Sequence, residues 1–235
     1  VALTHVAVTA LWGGLMALER RAFLQAMVSR PLVAGTVTGL LAEDALAGLF
    51  VGLLFELLHA GGASLGGAHA DHDTLPAVAG AALASGIDGV VGGQGAPAVW
   101  ALAVLVCAPL GRLGLRLEHR LDVRARKYYG RALTAADAGN LRRVARQNLR
   151  ALWPQFTLAA VVCGVAALVA PLVGQLYLRL PPGVVRGLGW AFPAMAAAAA
   201  AVAVRGSHSL QRGRLAAAGA VVAAVAWWWT RGGAP

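Results

Sequence analysis

Residues 23–80 read FLQAMVSRPLVAGTVTGLLAEDALAGLFVGLLFELLHAGGASLGGAHADHDTLPAVAG, and three interruptions of their apolar texture decide the fold. Arg30 stands directly before Pro31, a charge followed by a residue already shaped for a first helical turn. Glu43 and Asp44 separate two apolar runs, and Glu56 lies well inside the second. The runs are Ala, Val, Leu and Gly, small residues that let helices approach closely where lipid supplies no hydrophobic contrast. A carboxylate inside such a segment costs about 2.5 kcal/mol or more to insert, so it must face a polar cavity or a partner. Glu56 is therefore the first candidate functional residue.

After Glu56 come the small residues AGGASLGGA at 60–68, then a polar cluster of His69, Asp71, His72, Asp73 and Thr74. Glycine lets backbone approach a ligand and leaves amide and carbonyl groups free to bond hydroxyls, which suits a sugar. An ordinary interhelical loop would use the same residue types. Histidine and carboxylates also bind transition metals, but the spacing HADHD matches no closed site, and no metal is expected.

Outward from this stretch, the 235 residues are 59% hydrophobic and only 13% charged. A soluble domain carries about a quarter charged residues, so this chain lacks the polar surface it would need in water. Apolar runs cover residues 1–18, 31–58, 75–88, 96–110, 152–173, 184–204 and 215–229. A straight span takes about 20 residues, so the pattern predicts an all-α polytopic membrane protein of about six to eight membrane segments, some re-entrant or broken. The short pair at 75–110, divided by GVVGGQGAP, fits either helices broken in mid-membrane or two ordinary tilted helices. The first run has no basic n-region and no polar cleavage site, and reads as a membrane element, not a removable signal. The Gly- and Ala-rich face at 35–52 is expected to pack against a second membrane subunit. Trp227, Trp228 and Trp229 read as an aromatic belt at a head-group boundary.

The net charge of +10 is concentrated at residues 112–150, where eleven basic residues face Glu118, Asp122 and Asp137. Nucleic acid would also attract such charge, but its place between apolar runs makes it a topological signal: a cytoplasmic elbow beside anionic lipid. Leu113, Leu117 and Leu121 recur beside Arg112, Arg116, Arg120 and Arg124, which predicts an amphipathic helix on the membrane surface. A second helix is expected over 133–149, opened by Thr134 with Asp137 three residues on. Without linkers or repeats, the chain reads as one membrane domain: a motif-bearing part at 1–111, the elbow at 112–150 and C-terminal helices at 151–235. Cys107 and Cys163 each sit in an apolar run and read as small buried hydrophobes.

The order of Arg-Pro, Gly-rich apolar run, acidic pair, FELL and Gly-rich segment over residues 23–80 resembles the IIC subunit of the mannose, fructose and sorbose family of the bacterial sugar phosphotransferase system. AADAGNLRRV at 135–144 is similar, more loosely, to that family's Ala-Asp-x-Gly-Asn-Leu element. The resemblance implies a multi-pass subunit of the bacterial cytoplasmic membrane, oligomeric, paired with a IID subunit. Separate IIA and IIB components would carry the phosphate. It also implies that sugar lies near Glu56, Ser64, Gly66 and Asp73. The family's Pro-Asp is here Asp71-His72, with Asp73-Thr74 keeping the remainder, and Ser64 stands where Asn is common.

That departure keeps open a transport-reduced sensor or docking platform derived from the family. A membrane enzyme acting on lipid through Glu56 and HADHD is the more distant alternative. No P-loop occurs and no histidine has a phosphate-accepting context, so neither a cofactor nor a catalytic residue is expected in this chain.

Overall fold

The computed structural model describes residues 3–60, 71–93 and 96–206, with isolated helical positions between 213 and 228. Among the described residues eight helices are delimited, in order: α1 (Leu3–Arg21), α2 (Pro31–Leu41), α3 (Ala45–Ala60), α4 (Thr74–Val91), α5 (Ala96–Cys107), α6 (Pro109–Asp137), α7 (Leu141–Tyr177) and α8 (Pro182–Gly206). The described secondary structure is all-α. Among the described residues four stretches are long and apolar enough to cross a membrane: Thr74–Val91, Ala96–Asp137, Leu141–Tyr177 and Pro182–Val204. Helix α1 is not among them, because His5 and the Glu19-Arg20-Arg21 end make it more polar.

Pro31 opens α2 behind Arg30, as the sequence predicts. Helices α2 and α3 form a hairpin closed by Glu43 and Asp44: Glu43 takes a left-handed φ of 62°, and the Asp44 carboxylate accepts from the Ala47 amide at 3.1 Å, capping α3. With 11 residues, α2 is about 16 Å long and too short to cross a hydrocarbon core of about 30 Å. The half-length element therefore falls here. After α4 the chain turns at Gly92 and Gly93, both at positive φ, and α5 with its 12 residues, about 18 Å, reaches spanning length only together with α6, which follows it from Pro109. The face at 35–52 is likewise internal to the chain. A Cβ on Gly35 would lie 2.8 Å from the Gly52 Cα, and one on Gly39 2.7 Å from the Gly48 Cα. Backbone meets backbone within the hairpin, so these glycines are not available to a second subunit.

Helix α7 is the wall shared by the first half of the bundle. Its Cys163 packs under Gly13 of α1, and its Ala170 under Gly86 of α4. Small residues again set the helix separation. On the far side of α3 and α4, Phe50, Trp100 and Phe192 tie α3, α5 and α8 together, with Phe50 and Trp100 stacked at 4.6 Å.

The basic segment differs from expectation in two respects. Thr134 does not open a helix; its hydroxyl donates to the Arg131 carbonyl inside α6. The break comes at Ala138-Gly139-Asn140, where Gly139 takes φ 66° and the Asn140 side chain accepts from the Arg143 amide at 3.0 Å. A left-handed Gly followed by an Asn cap is a stronger stop and start than a mid-helix Thr. The second basic helix then runs unbroken into a spanning segment: α7 has 37 residues, about 55 Å, well beyond the hydrocarbon thickness. The segment at 112–150 is thus the outer part of an α6–α7 hairpin, an arm continuous with the bundle.

Candidate functional site

One end of the bundle collects most of the inward-facing charge. There α1 ends, α2 begins, α3 ends, α4 begins and α6 passes, so four helix termini and one continuous helix bring polar backbone and side chains to one level. Arg20 is its hub. Its Nε donates to Asp73 Oδ1 at 2.9 Å, Nη1 reaches both Glu118 oxygens at 3.3 Å, and Nη2 donates to the Asp71 carbonyl at 3.2 Å. Glu118 is buried, so this link has little competition from water. Next to it, Arg21 makes a forked pair with Asp122 at 3.0 Å on both arms, and Gln155 of α7 donates to the same carboxylate at 3.1 Å. Glu118 and Asp122 lie four residues apart on α6 and so share a face.

The turn at 22–30 is secured by Glu19, whose two carboxylate oxygens accept from the Val28 and Ser29 amides. Asp73 caps α4 by accepting from the Thr74 amide at 2.9 Å, and the Thr74 hydroxyl donates to the Ser29 carbonyl at 2.8 Å. His72 is buried beside them. Its Nδ1 accepts from the Leu75 amide at 3.2 Å, so the proton sits on Nε2, which points at Glu118 3.5 Å away. Burial, reinforced by the positive charge of Arg20, pushes the His72 pKa down to about 3. The imidazole is therefore neutral at physiological pH and acts as a hydrogen-bonding spacer, not as a charge.

The Glu56 carboxylate completes the layer from α3. One of its oxygens accepts from Nε of Arg30 at 2.8 Å and from the same guanidinium's Nη2, while the other accepts from the Leu32 amide at 3.3 Å. This bond to Glu56 holds the Arg30 guanidinium above its ordinary pKa against the opposing effect of burial. The Arg30 side chain is 53% exposed and that of Glu56 16%, so the pair closes α2 onto α3 while keeping an open face.

The comparison with protein families matches residues 3–206 to the sorbose-specific IIC component of the phosphotransferase system. The chain belongs to that family. A solved chain described as "Structure of membrane protein" has a similar fold, with a TM-score of 0.63 at 21% identity over 89% of this chain and 81% of that one. The comparison with curated proteins returns no match. As a IIC family member the protein is a membrane sugar permease subunit, a transporter-type component that associates with others of its system.

Of the four residues for which the sequence resemblance implies a place near sugar, Glu56 and Asp73 both lie in the charged layer, each held by an arginine. Ser64 and Gly66 fall outside the described residues. Sequence reasoning passed over Arg20, Glu19 and Glu118. A usable signal was present: Glu-Arg-Arg closing an apolar run, and two acids at helical spacing within a basic stretch.

Proposed function

We propose that the charged layer is the sugar-handling floor of a mannose-type IIC permease. Glu56 and Asp73 supply carboxylate acceptors for sugar hydroxyls, and Ser64 and Gly66 of the intervening segment supply a hydroxyl and close backbone approach. The chain works in the bacterial cytoplasmic membrane beside a IID subunit. Cytoplasmic IIA and IIB components phosphorylate the arriving sugar, and the basic arm marks the cytoplasmic side. The observation that carries this reading is the Arg30–Glu56 pair: a carboxylate deep in an apolar sequence, held by an arginine yet partly open. Charged acceptors of this kind contribute about 1.5–3 kcal/mol per hydrogen bond to a ligand.

The test is Glu56→Gln, with uptake of radiolabelled mannose, fructose and sorbose by cells carrying the complete system. Uptake of the transported sugar is expected to fall roughly ten- to a hundredfold, at about 1.4 kcal/mol per decade. Accumulation in the membrane should hold, because a half-exposed Arg30 is not stranded when its partner loses charge. Unchanged uptake by a well-expressed variant would remove Glu56 from the sugar site.

A further inference from the structure

The two ends of the bundle treat their acids differently. At the arm end Glu56, Asp73, Glu118 and Asp122 each meet an arginine. At the other end, where α4 finishes beside the α2–α3 turn, Asp44 and Asp88 meet none among the described residues, and residues 31–111 contain neither Lys nor Arg. Asp88 stands in the last turn of α4, about 21 Å along the helix from Thr74. It is 9% exposed, and no donor among the described residues reaches its Oδ1.

The surroundings of Asp88 are few and specific. The Asp44 carboxyl lies within hydrogen-bonding reach of it, and the Trp100 indole of α5 faces it. The Tyr177 hydroxyl of α7, buried and without a partner among the described residues, lies within range of its charge. Other titratable groups at this end are peripheral. His5 of α1 lines the neighbouring cleft, Glu43 is exposed in the turn, and Arg179 and Arg186 are exposed beyond α7 and on α8, neither in an ion pair among the described residues.

Two carboxylates in contact and out of water repel each other and both lose hydration, so the pair needs a positive charge between them. An acid within a membrane segment ordinarily finds a basic partner or a polar cavity. Here no arginine serves, and oxygens already within hydrogen-bonding reach leave no room for a metal ion between them. A proton fits. The helix ends decide where it sits. Asp44 caps the N-terminus of α3, its Oδ1 accepting from the Ala47 amide at 3.1 Å, where negative charge is favoured. Asp88 belongs to a helix C-terminus, where its own carbonyl accepts from the Gly92 and Gly93 amides and the helix dipole disfavours negative charge.

We propose that Asp44 and Asp88 form a proton-binding site, the proton resting on Asp88 and donated to the Asp44 carboxylate, that fastens the α2–α3 hairpin to the end of α4. Arg30 and Glu56 sit at the other end of that hairpin, so loss of the proton frees the turn of the very element that closes the charged layer. The site stands whether or not that layer handles sugar.

The detergent-purified protein tests it through its melting temperature between pH 6.5 and 9, a range in which His72 stays neutral. The folded pair holds a proton that the same carboxyls lack when unfolded, so stability from this site falls as the pH rises. Asp88→Asn supplies an amide that donates to Asp44 without any proton, and should remove that fall. Asp44→Asn relieves the repulsion from the other side and should remove it as well. Infrared spectra give a second readout that does not depend on how well the variants fold: the wild type should show the carbonyl band of a protonated carboxyl, fading as the pH rises to 9 and missing from Asp88→Asn. A wild-type protein without that band, or a fall as steep in Asp88→Asn as in wild type, would overturn the proposal. So would sodium raising the wild-type melting temperature at pH 9 above its value in choline with no such gain in Asp88→Asn, which would assign the site to a metal ion.

Discussion

The α2–α3 and α6–α7 hairpins have the same outline, two antiparallel helices and a three-residue turn, yet they are closed by opposite means. In α2–α3 four glycines face one another, and backbone touches backbone with no side chain between. In α6–α7 the helices meet through Ala132, Ala135 and Gln147 near the tip, and Glu118 and Asp122 fasten α6 to the arginines of α1. The medium explains the difference. Inside hydrocarbon, removing apolar surface from water supplies nothing, and close packing is what remains. Beyond it, ion pairs and caps suffice, and the outward face can stay basic because both inward acids are already paired.

The largest effect should come from the first hairpin. Gly39→Leu forces a side chain into the backbone of α3 and should abolish accumulation of the protein in membranes, a cost above about 4–5 kcal/mol. Gly130→Leu on the arm, where a Cβ meets nothing within 4 Å, should accumulate normally. Equal behaviour of the two variants in a membrane-fraction blot would erase the contrast.

Next comes the joint between the arm and the bundle. Glu118→Ala removes the buried acceptor of Arg20 and should destabilise the detergent-purified protein by about 2–3 kcal/mol. That lies below the about 3–5 kcal/mol for breaking a buried pair, because Asp73 still neutralises Arg20. A melting temperature unchanged from wild type would show that the arm is held by other contacts.

At the same joint, His72 gives a pH dependence whose sign follows from its depressed pKa. The unfolded chain binds a proton near pH 6.5 and the folded one only near 3, so stability is full above about pH 6.5 and falls as the pH drops toward 3. The slope from this group is at most about 1.4 kcal/mol per pH unit. His72→Gln should flatten the melting profile between pH 6.5 and 4.5, and a profile as steep as wild type would assign the loss to other groups.

The smallest effect belongs to the arm's turn. Asn140→Ala removes the α7 cap and should cost about 1 kcal/mol, visible as faster amide exchange at residues 138–150 with the spanning helices unaffected. Exchange spreading through α7 beyond the arm would mean that the arm and the membrane helix unfold as one unit.

The helical positions, the apolar runs, the basic segment and the family were legible in the chain because each rests on local texture: residue size, hydropathy and short motifs. Pro31 at a helix start and Glu43-Asp44 at a turn are of this kind. Glu56 could be singled out because a carboxylate among leucines conflicts with its surroundings. What the sequence could not decide was partnership. Whether Gly35, Gly39, Gly48 and Gly52 face another subunit or one another, and whether Arg30 or Arg20 meets Glu56, depend on contacts between distant segments. Arg20 meets Glu118 across 98 residues, a pairing that exists only once α1, the turn before α4 and α6 have been brought to the same end of the bundle. Periodicity tells which face of a helix is apolar, but in lipid both faces are, and only tertiary packing chooses between them.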